Sequence, residues 1–135
     1  MIDEKTIEKL VSEAKKVLGN SYAPYSGIHV AAAILTDKGS IYHGVNVENA
    51  SYGLTICAER TAIFNMVTHG ERKPVAVAIV TDYEKPIPPC GACRQVIAEF
   101  NPEATIIMHS TRTRETIVAS LKELFPNPFS LHGEK

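Results

Sequence analysis

The sequence has 135 residues, and its 14 basic and 15 acidic side chains give a formal net charge of −1. This length predicts a single domain over residues 1–135 with a sizeable core, while the near-neutral charge argues against a nucleic-acid polymer as partner. No apolar run is long enough to span a membrane, and the odd count of three cysteines argues against a disulfide framework and for a reducing, cytoplasmic location.

The amino-terminal part predicts a helix followed by a β-hairpin. Residues 3–18 place apolar side chains at helical spacing between Glu and Lys, and Gly19 is a stop signal. Turn residues then lead into two strands at 28–35 and 40–47, which the short TDKG turn joins.

The remaining segments alternate between helix and strand. In chain order they are a buried helix ending at Gly70, a strand at 75–80, a helix at 90–100, a strand at 104–109 and a last amphipathic helix at 115–125. The resulting order αββαβαβα predicts an α/β fold, a three-layer α/β/α sandwich on a mixed sheet.

Three cysteines are placed to share one centre. Cys90 and Cys93 in PPCGAC lie one helical turn apart, and Cys57 begins the preceding helix. Loops that leave the carboxyl ends of strands meet at one edge of such a sheet, so all three sulfurs can converge. Zinc suits thiolate ligands, and three protein ligands with one open position are typical of a catalytic site. We therefore predict one zinc ion bound by Cys57, Cys90 and Cys93.

Charged residues accompany these cysteines. Glu59 follows Cys57 by two residues, beside the open position, which favours a proton carrier for the water that zinc activates. Arg60 and Arg94 lie close to a cysteine in sequence and would draw negative charge from the thiolates. Either arginine could instead be an ordinary solvated helix charge.

Other interpretations of the cysteines remain open on the residues alone. A CxxC motif also fits a redox pair, but a redox pair leaves Cys57 and Glu59 unexplained. A closed structural zinc site needs a fourth ligand, and no histidine has a CxxC-like spacing to a cysteine. The available histidines are His29, His43, His69, His109 and His132.

Four motifs together resemble one enzyme family. They are YAPYS (22–26), NVENASYG (46–53), TICAERTAIF (55–64) and PCGACRQVI (89–97). In this order and at these spacings they are similar to the small homotetrameric zinc-dependent cytidine deaminases, and the resemblance covers nearly the whole chain. It implies that residues 1–135 form one cytidine deaminase-like catalytic domain.

The resemblance also implies roles for individual residues. Zinc would be held by Cys57, Cys90 and Cys93, the ribose hydroxyl would be bound by Asn46 and Glu48, and the backbone at Ala58 would contact the base. Zinc-bound hydroxide would add to C4 of cytidine or deoxycytidine while Glu59 shuttles protons, giving uridine or deoxyuridine and ammonia in pyrimidine salvage. On the residues alone, Asn46 and Glu48 also fit turn chemistry at a strand end.

Two residues depart from the family's usual pattern. Ile28 stands where the family usually has a base-packing phenylalanine, and Ala31 stands where it usually has glycine. An aliphatic side chain still packs on a pyrimidine but loses a stacking contribution of about 1 kcal/mol, so we expect altered substrate affinity or choice. Ala31 is expected to narrow the space near the backbone.

The segment LFPNPF resembles, more loosely, the family segment whose phenylalanine reaches into a neighbouring subunit's site. That phenylalanine is Phe129 here. The resemblance therefore implies a homotetramer with dihedral symmetry. On the residues alone, Phe129 could equally cap the core of its own subunit.

Three functions are compatible with these features, and salvage of cytidine and deoxycytidine accounts for all the motifs. A second is deamination of a modified cytosine nucleoside, as by blasticidin S deaminase. A third is a non-catalytic, zinc-stabilised interaction protein, against which Glu59 argues. Editing of RNA or DNA fits least, because the chain lacks a basic patch.

Overall fold

A five-stranded mixed sheet organises the protein, in a computed structural model that describes residues 2–131. Its strands are β1 (Val30–Thr36), β2 (Ile41–Val45), β3 (Pro74–Thr81), β4 (Thr105–Ser110) and β5 (Thr116–Ser120). They lie in the order β2-β1-β3-β4-β5. β3 and β4 are parallel, and every other neighbouring pair is antiparallel. The predicted mixed sheet is confirmed.

Helices cover both faces of this sheet. They are α1 (Glu4–Leu18), α2 (Ala58–Thr68), α3 (Gly91–Phe100) and α4 (Leu121–Leu124), with a short 3-10 turn at Tyr52–Leu54. The first helix begins where predicted, because the Asp3 side chain accepts a 2.9 Å hydrogen bond from the Thr6 backbone N–H. None of the helices within residues 2–131 is both long and apolar enough to cross a membrane.

Two apolar cores separate the three layers. The alternation of side chains along a strand sends Ala31 and Ala33 towards α1, and Ala32 and Ile34 towards α2 and α3. Small side chains on β1 let both layers approach the sheet closely. The three-layer α/β/α arrangement is therefore also as predicted.

The predicted last helix at 115–125 is wrong over most of its length. Residues Thr116–Ser120 form β5, antiparallel to β4, so the element order is αββαβαββα. The run Thr-Ile-Val is β-branched and favours a pleated strand wherever a sheet edge is free to pair with it. Helix begins only at Leu121, where Ser120 and Glu123 form a reciprocal capping box.

The segments that carry the motifs meet at one end of the strands, which is called the carboxyl edge of the sheet below. β2 and β3 both run antiparallel to β1, and β4 runs parallel to β3, so the carboxyl ends of β2, β3 and β4 lie at the same edge. The start of β1 is there too, since Val30 pairs with Thr81. The loops that follow β2 and β3 therefore meet where the sequence predicts the site.

Candidate active site

Two helices, α2 and α3, begin at the carboxyl edge of the sheet, and a cysteine precedes the first turn of each. Cys57 caps α2 and Cys90 caps α3, both with extended backbone, and neither thiol bonds to the amides of its own helix. Both sulfurs are therefore available to a shared centre. Cys93 lies in the first turn of α3 and is fully buried.

The spacing of the three sulfurs fits a tetrahedral metal. Cys57 Sγ lies 3.8 Å from Cys90 Sγ, and Cys90 Sγ lies 3.5 Å from Cys93 Sγ. Zinc–sulfur bonds of about 2.3 Å at tetrahedral angles hold sulfurs about 3.8 Å apart, so these residues fit zinc. Within the described residues no histidine joins this cluster, which leaves the closed structural site unsupported; His132 lies outside those residues.

The cysteine cluster favours negative charge at Cys57. A hydrogen bond from Cys93, helped by one from Arg60, lowers the pKa of Cys57 to about 5. The pKa of Cys93 is raised, because Cys93 donates its proton to Cys57 and is buried. The three cysteines would hold a cation as thiolates, since thiolates rather than thiols are metal ligands, and the cation would then replace the shared proton.

Glu59 is a buried carboxyl in the first turn of α2. Its exposed fraction is 4%, and burial raises its pKa to about 7. A carboxyl of this kind both accepts and donates protons near neutral pH. The charge of Cys57 and a hydrogen bond with Cys93 also act on this carboxyl, so an acid–base group lies next to the thiolates.

The two arginines behave differently. Arg60 donates from Nη2 to Cys57 Sγ at 3.5 Å, as the thiolate-tuning role requires. Arg94 instead donates to two backbone carbonyls, those of Pro89 and Leu124, each at 2.7 Å. These two bonds tie the start of α3 to the end of α4, and the thiolate-tuning role of Arg94 stays a prediction.

A cavity of about 280 Å³ opens beside the segment that follows β2. Its lining consists of Tyr25, Ser26, Glu48, Tyr52 and Thr55. Glu48 accepts from the backbone N–H groups of Tyr25 and Ser26 at 3.0 and 3.1 Å, and from the Ser26 hydroxyl at 2.5 Å. These donors, the Ser26 hydroxyl above all, lower the pKa of Glu48 and keep it an anion.

Asn46 and Glu48 lie on the same side of their segment. Val47 forms β-bridges to Tyr22 and Ile56, so the backbone is extended and alternate side chains point the same way. Asn46 is only 8% exposed, and its amide bonds to the backbone at the start of β1.

The remaining predicted residues lie around this edge. Ala58 is fully buried at the start of α2, and Ile28 is half-buried just before β1. Ala31 faces α1 rather than α2, so its methyl group occupies space between the sheet and α1, on the face away from α2. Phe129 is 69% exposed, which excludes the alternative that it caps its own core.

Sequence reasoning missed how α2 is fixed to the sheet. The Thr61 hydroxyl donates to the Val45 carbonyl at 2.9 Å, and Asn65 Nδ2 donates to the His43 carbonyl at 3.2 Å. Gly44 lies between these contacts, where an added Cβ would come within 2.3 Å of the Ala62 backbone nitrogen. A glycine inside a strand pattern is the signal that could have indicated this close approach.

The sheet and its thiolate centre place the chain among zinc-binding α/β proteins, and comparison with known sequences narrows this class. A sequence model described as the cytidine and deoxycytidylate deaminase zinc-binding region matches residues 4–109. The chain belongs to this family of zinc-dependent deaminases.

Individual relatives agree with this assignment. A cytidine deaminase of Sporosarcina psychrophila is 48% identical over 127 residues, covering 92% of this chain and 91% of its own. The crystal structure of a cytidine deaminase from Burkholderia pseudomallei superposes with a TM-score of 0.85 at 42% identity, covering 90% of this chain and 98% of that one. A blasticidin-S deaminase of Bacillus cereus is more distant, at 29% identity over 106 residues, covering 73% of this chain and 74% of its own.

Proposed function

We propose that this protein hydrolyses cytidine and deoxycytidine to uridine, deoxyuridine and ammonia, as a single catalytic domain in cytoplasmic pyrimidine salvage. The observation that carries the proposal is Glu59, a buried carboxyl two residues after a cysteine of the thiolate cluster. The activity named for the similar proteins supports the substrate, and three free cysteines support the reducing location.

Cys57, Cys90 and Cys93 would hold the zinc ion. When bound, zinc supplies the Lewis acidity that makes water a nucleophile near neutral pH. Arg60 offsets part of the negative charge of three thiolates through its contact with Cys57. Because Cys57 and Cys90 both cap helices, the positive ends of two helix dipoles face the same charge.

Glu59 would carry the protons of the reaction. It would take one proton from the water as the oxygen adds to C4 of the base and pass it to N3. It would then take the proton of the new C4 hydroxyl and give it to the amine as the C4–N bond breaks, which leaves the C4 carbonyl and ammonia. A carboxyl buried to this extent cannot exchange protons freely with bulk water, so the same group can serve each transfer. Its place in the first turn of α2, fixed against β2 by Thr61, holds it in a rigid position.

Binding of the nucleoside would fall to the residues around the cavity. Glu48 would accept from a sugar hydroxyl and Asn46 would donate to it, while the backbone at Ala58 would meet the base and Ile28 would pack on it. Glu48 is held as an anion by three donors, so it is prepared to receive a hydroxyl.

A modified cytosine nucleoside is the second candidate substrate. Ile28 favours it, because a smaller side chain than phenylalanine leaves room at the base. The higher identity to proteins named cytidine deaminase than to the one named blasticidin-S deaminase favours the ordinary nucleoside. A non-catalytic interaction protein would have no use for the buried Glu59.

The direct test is turnover by the purified, zinc-loaded protein. We expect cytidine and deoxycytidine to be converted with release of one ammonia per product. The fall in ultraviolet absorbance as cytosine becomes uracil measures the conversion. Removal of zinc with a chelator should abolish turnover, and added zinc should restore it, since the cysteine cluster is the one candidate metal site among the described residues. A zinc-loaded protein that converts blasticidin S but neither nucleoside would contradict the proposal in favour of the second candidate.

A homotetramer is proposed as the active assembly. The exposed side chain of Phe129 supports it, since an aromatic ring at 69% exposure lies ready for a partner subunit. The Phe129 carbonyl accepts from Gln95 Nε2 at 3.0 Å, which anchors the segment to α3 while the ring extends outwards. Phe129 would then complete the site of a neighbouring subunit.

Mixed oligomers test this arrangement. Glu59→Gln and Phe129→Ala subunits should each be impaired alone. Co-refolded equal mixtures should recover up to about a quarter of wild-type activity, because in that share of the sites Glu59 comes from one parent and Phe129 from the other. Leu131→Ala, which removes another exposed side chain two residues on, is the control and should remain active alone. Mixtures no more active than the average of their parents would contradict a Phe129 supplied by a neighbour.

A further inference from the structure

A chain of hydrogen bonds runs from His29 through Ser21 to the amide of Asn46. His29 Nδ1 lies 3.1 Å from Ser21 Oγ, and the Ser21 hydroxyl donates to Asn46 Oδ1. Asn46 also accepts from the Val30 N–H at 3.0 Å and donates to the Ile28 carbonyl at 2.9 Å. None of the roles proposed above uses Ser21 or His29.

The backbone settles which way the Asn46 amide faces. The Val30 N–H can only donate and the Ile28 carbonyl can only accept, so Oδ1 must face Val30 and Nδ2 must face Ile28. A flipped amide would oppose donor to donor and acceptor to acceptor. One hydrogen on Nδ2 remains after the bond to Ile28, and it is the only donor that Asn46 can offer a ligand.

The direction of the next two bonds follows. Since Oδ1 accepts, the single hydrogen of the Ser21 hydroxyl must point to it, which leaves Ser21 Oγ as an acceptor towards His29. His29 must therefore carry its proton on Nδ1 and donate to Ser21. The imidazole thus prevents the hydroxyl from turning away from Asn46.

We infer that Ser21 is a positioning residue for sugar recognition, holding the Asn46 amide so that its free hydrogen meets the nucleoside hydroxyl, and that His29 fixes the direction of the Ser21 hydroxyl. The inference rests on the proposed function, in which Asn46 and Glu48 bind the sugar. It is supported by the extended backbone of 46–48, which sends both side chains to one side, and by the position of Glu48 in the cavity wall. Oδ1 accepts from both the Ser21 hydroxyl and the Val30 N–H, and two bonds fix the rotation of the amide more firmly than the Val30 bond alone.

The experiment compares two substrates that differ only in the sugar. Cytidine carries the ring hydroxyls that Asn46 would bind, and 2′,3′-dideoxycytidine lacks them. The quantity measured is kcat/KM for cytidine divided by kcat/KM for dideoxycytidine. We expect Ser21→Ala to lower this ratio roughly 5- to 10-fold, through a higher KM for cytidine, because the hydrogen bond that holds Asn46 is lost. Ser21→Thr keeps the hydroxyl and should restore the ratio.

His29 is tested in the same way with a matched pair. His29→Leu should lower the ratio about two- to threefold, since the hydroxyl of Ser21 becomes free to rotate, and His29→Asn should restore it because its amide supplies a donor near the place of Nδ1. Ser12→Ala removes an exposed hydroxyl on α1 and serves as the control. Thermal melting of each zinc-loaded variant shows whether it is folded.

The outcomes separate this inference from the proposed function. A Ser21→Ala enzyme that loses activity equally on both substrates has lost structure rather than sugar recognition, and the inference is overturned. A wild type that deaminates cytidine and dideoxycytidine equally well overturns the inference but leaves the proposed function standing. A wild type that deaminates neither overturns both.

Discussion

Replacing Glu59 by Gln is expected to lower kcat for cytidine by about 10³- to 10⁴-fold while the protein still binds one zinc ion per chain. The amide has nearly the shape of the carboxyl but neither accepts nor delivers a proton at neutral pH. Because Glu59 is only 4% exposed, bulk water cannot substitute for it. The reaction would have to proceed without its acid and its base. Steady-state kinetics at saturating cytidine, with metal content from atomic absorption, measure the effect.

The comparison needs a charge-matched control. Glu115→Gln removes an exposed carboxylate just before β5 and should leave kcat unchanged within about twofold, as expected for a surface substitution. Equal zinc content in the wild type and in Glu59→Gln separates proton transfer from metal binding. If the zinc-loaded Glu59→Gln enzyme kept more than a tenth of wild-type kcat, Glu59 would not be the proton carrier.

Features with a local physical cause could be predicted from the sequence. Cys57 and Cys90 lie at helix starts because each follows a strand and a turn-rich loop, and the residue pattern alone predicts both positions. The spacing of Cys90 and Cys93 by one helical turn fixes their separation without knowledge of the fold. The convergence of Cys57 needed only the rule that carboxyl ends of parallel strands share an edge.

Features that depend on a distant partner could not be predicted in this way. The segment that forms β5 carries apolar residues that suit a helix or a strand, and the free edge of β4 decided between them. Arg94 is next to Cys93, yet its guanidinium turns to the carbonyls of Pro89 and Leu124. The bond from Ser21 to Asn46 joins residues 25 apart, and neither sequence motif indicates it.

The position of the active-site helix depends on one glycine in β2. At Gly44 the strand approaches α2 so closely that an added Cβ would lie 2.3 Å from both Ala62 N and Thr61 Oγ1, and 2.6 Å from the Ala58 carbonyl oxygen. Two of these three atoms belong to backbone, which cannot rotate away. Since Ala58 lies between Cys57 and Glu59, any shift of α2 that accommodates the methyl group also moves a ligand and the proton carrier.

Gly44→Ala is therefore expected to reduce the free energy of unfolding by about 3 kcal/mol or more, and the melting temperature of the zinc-loaded protein by roughly 10 °C. Any folded fraction should bind zinc more weakly and turn over cytidine more slowly, because the displaced helix start pulls Cys57 away from the other thiolates. Calorimetry measures the loss of stability, and zinc titration measures the loss of affinity.

Gly19→Ala is the matched control. Gly19 has an αR backbone at the end of α1 and no atom within 4 Å of an added Cβ. The free energy of unfolding of this variant should therefore change by no more than about 0.5 kcal/mol. Equal melting temperatures for the two variants would show that α2 has room to move, and that its rigid attachment to β2 does not hold the site in place.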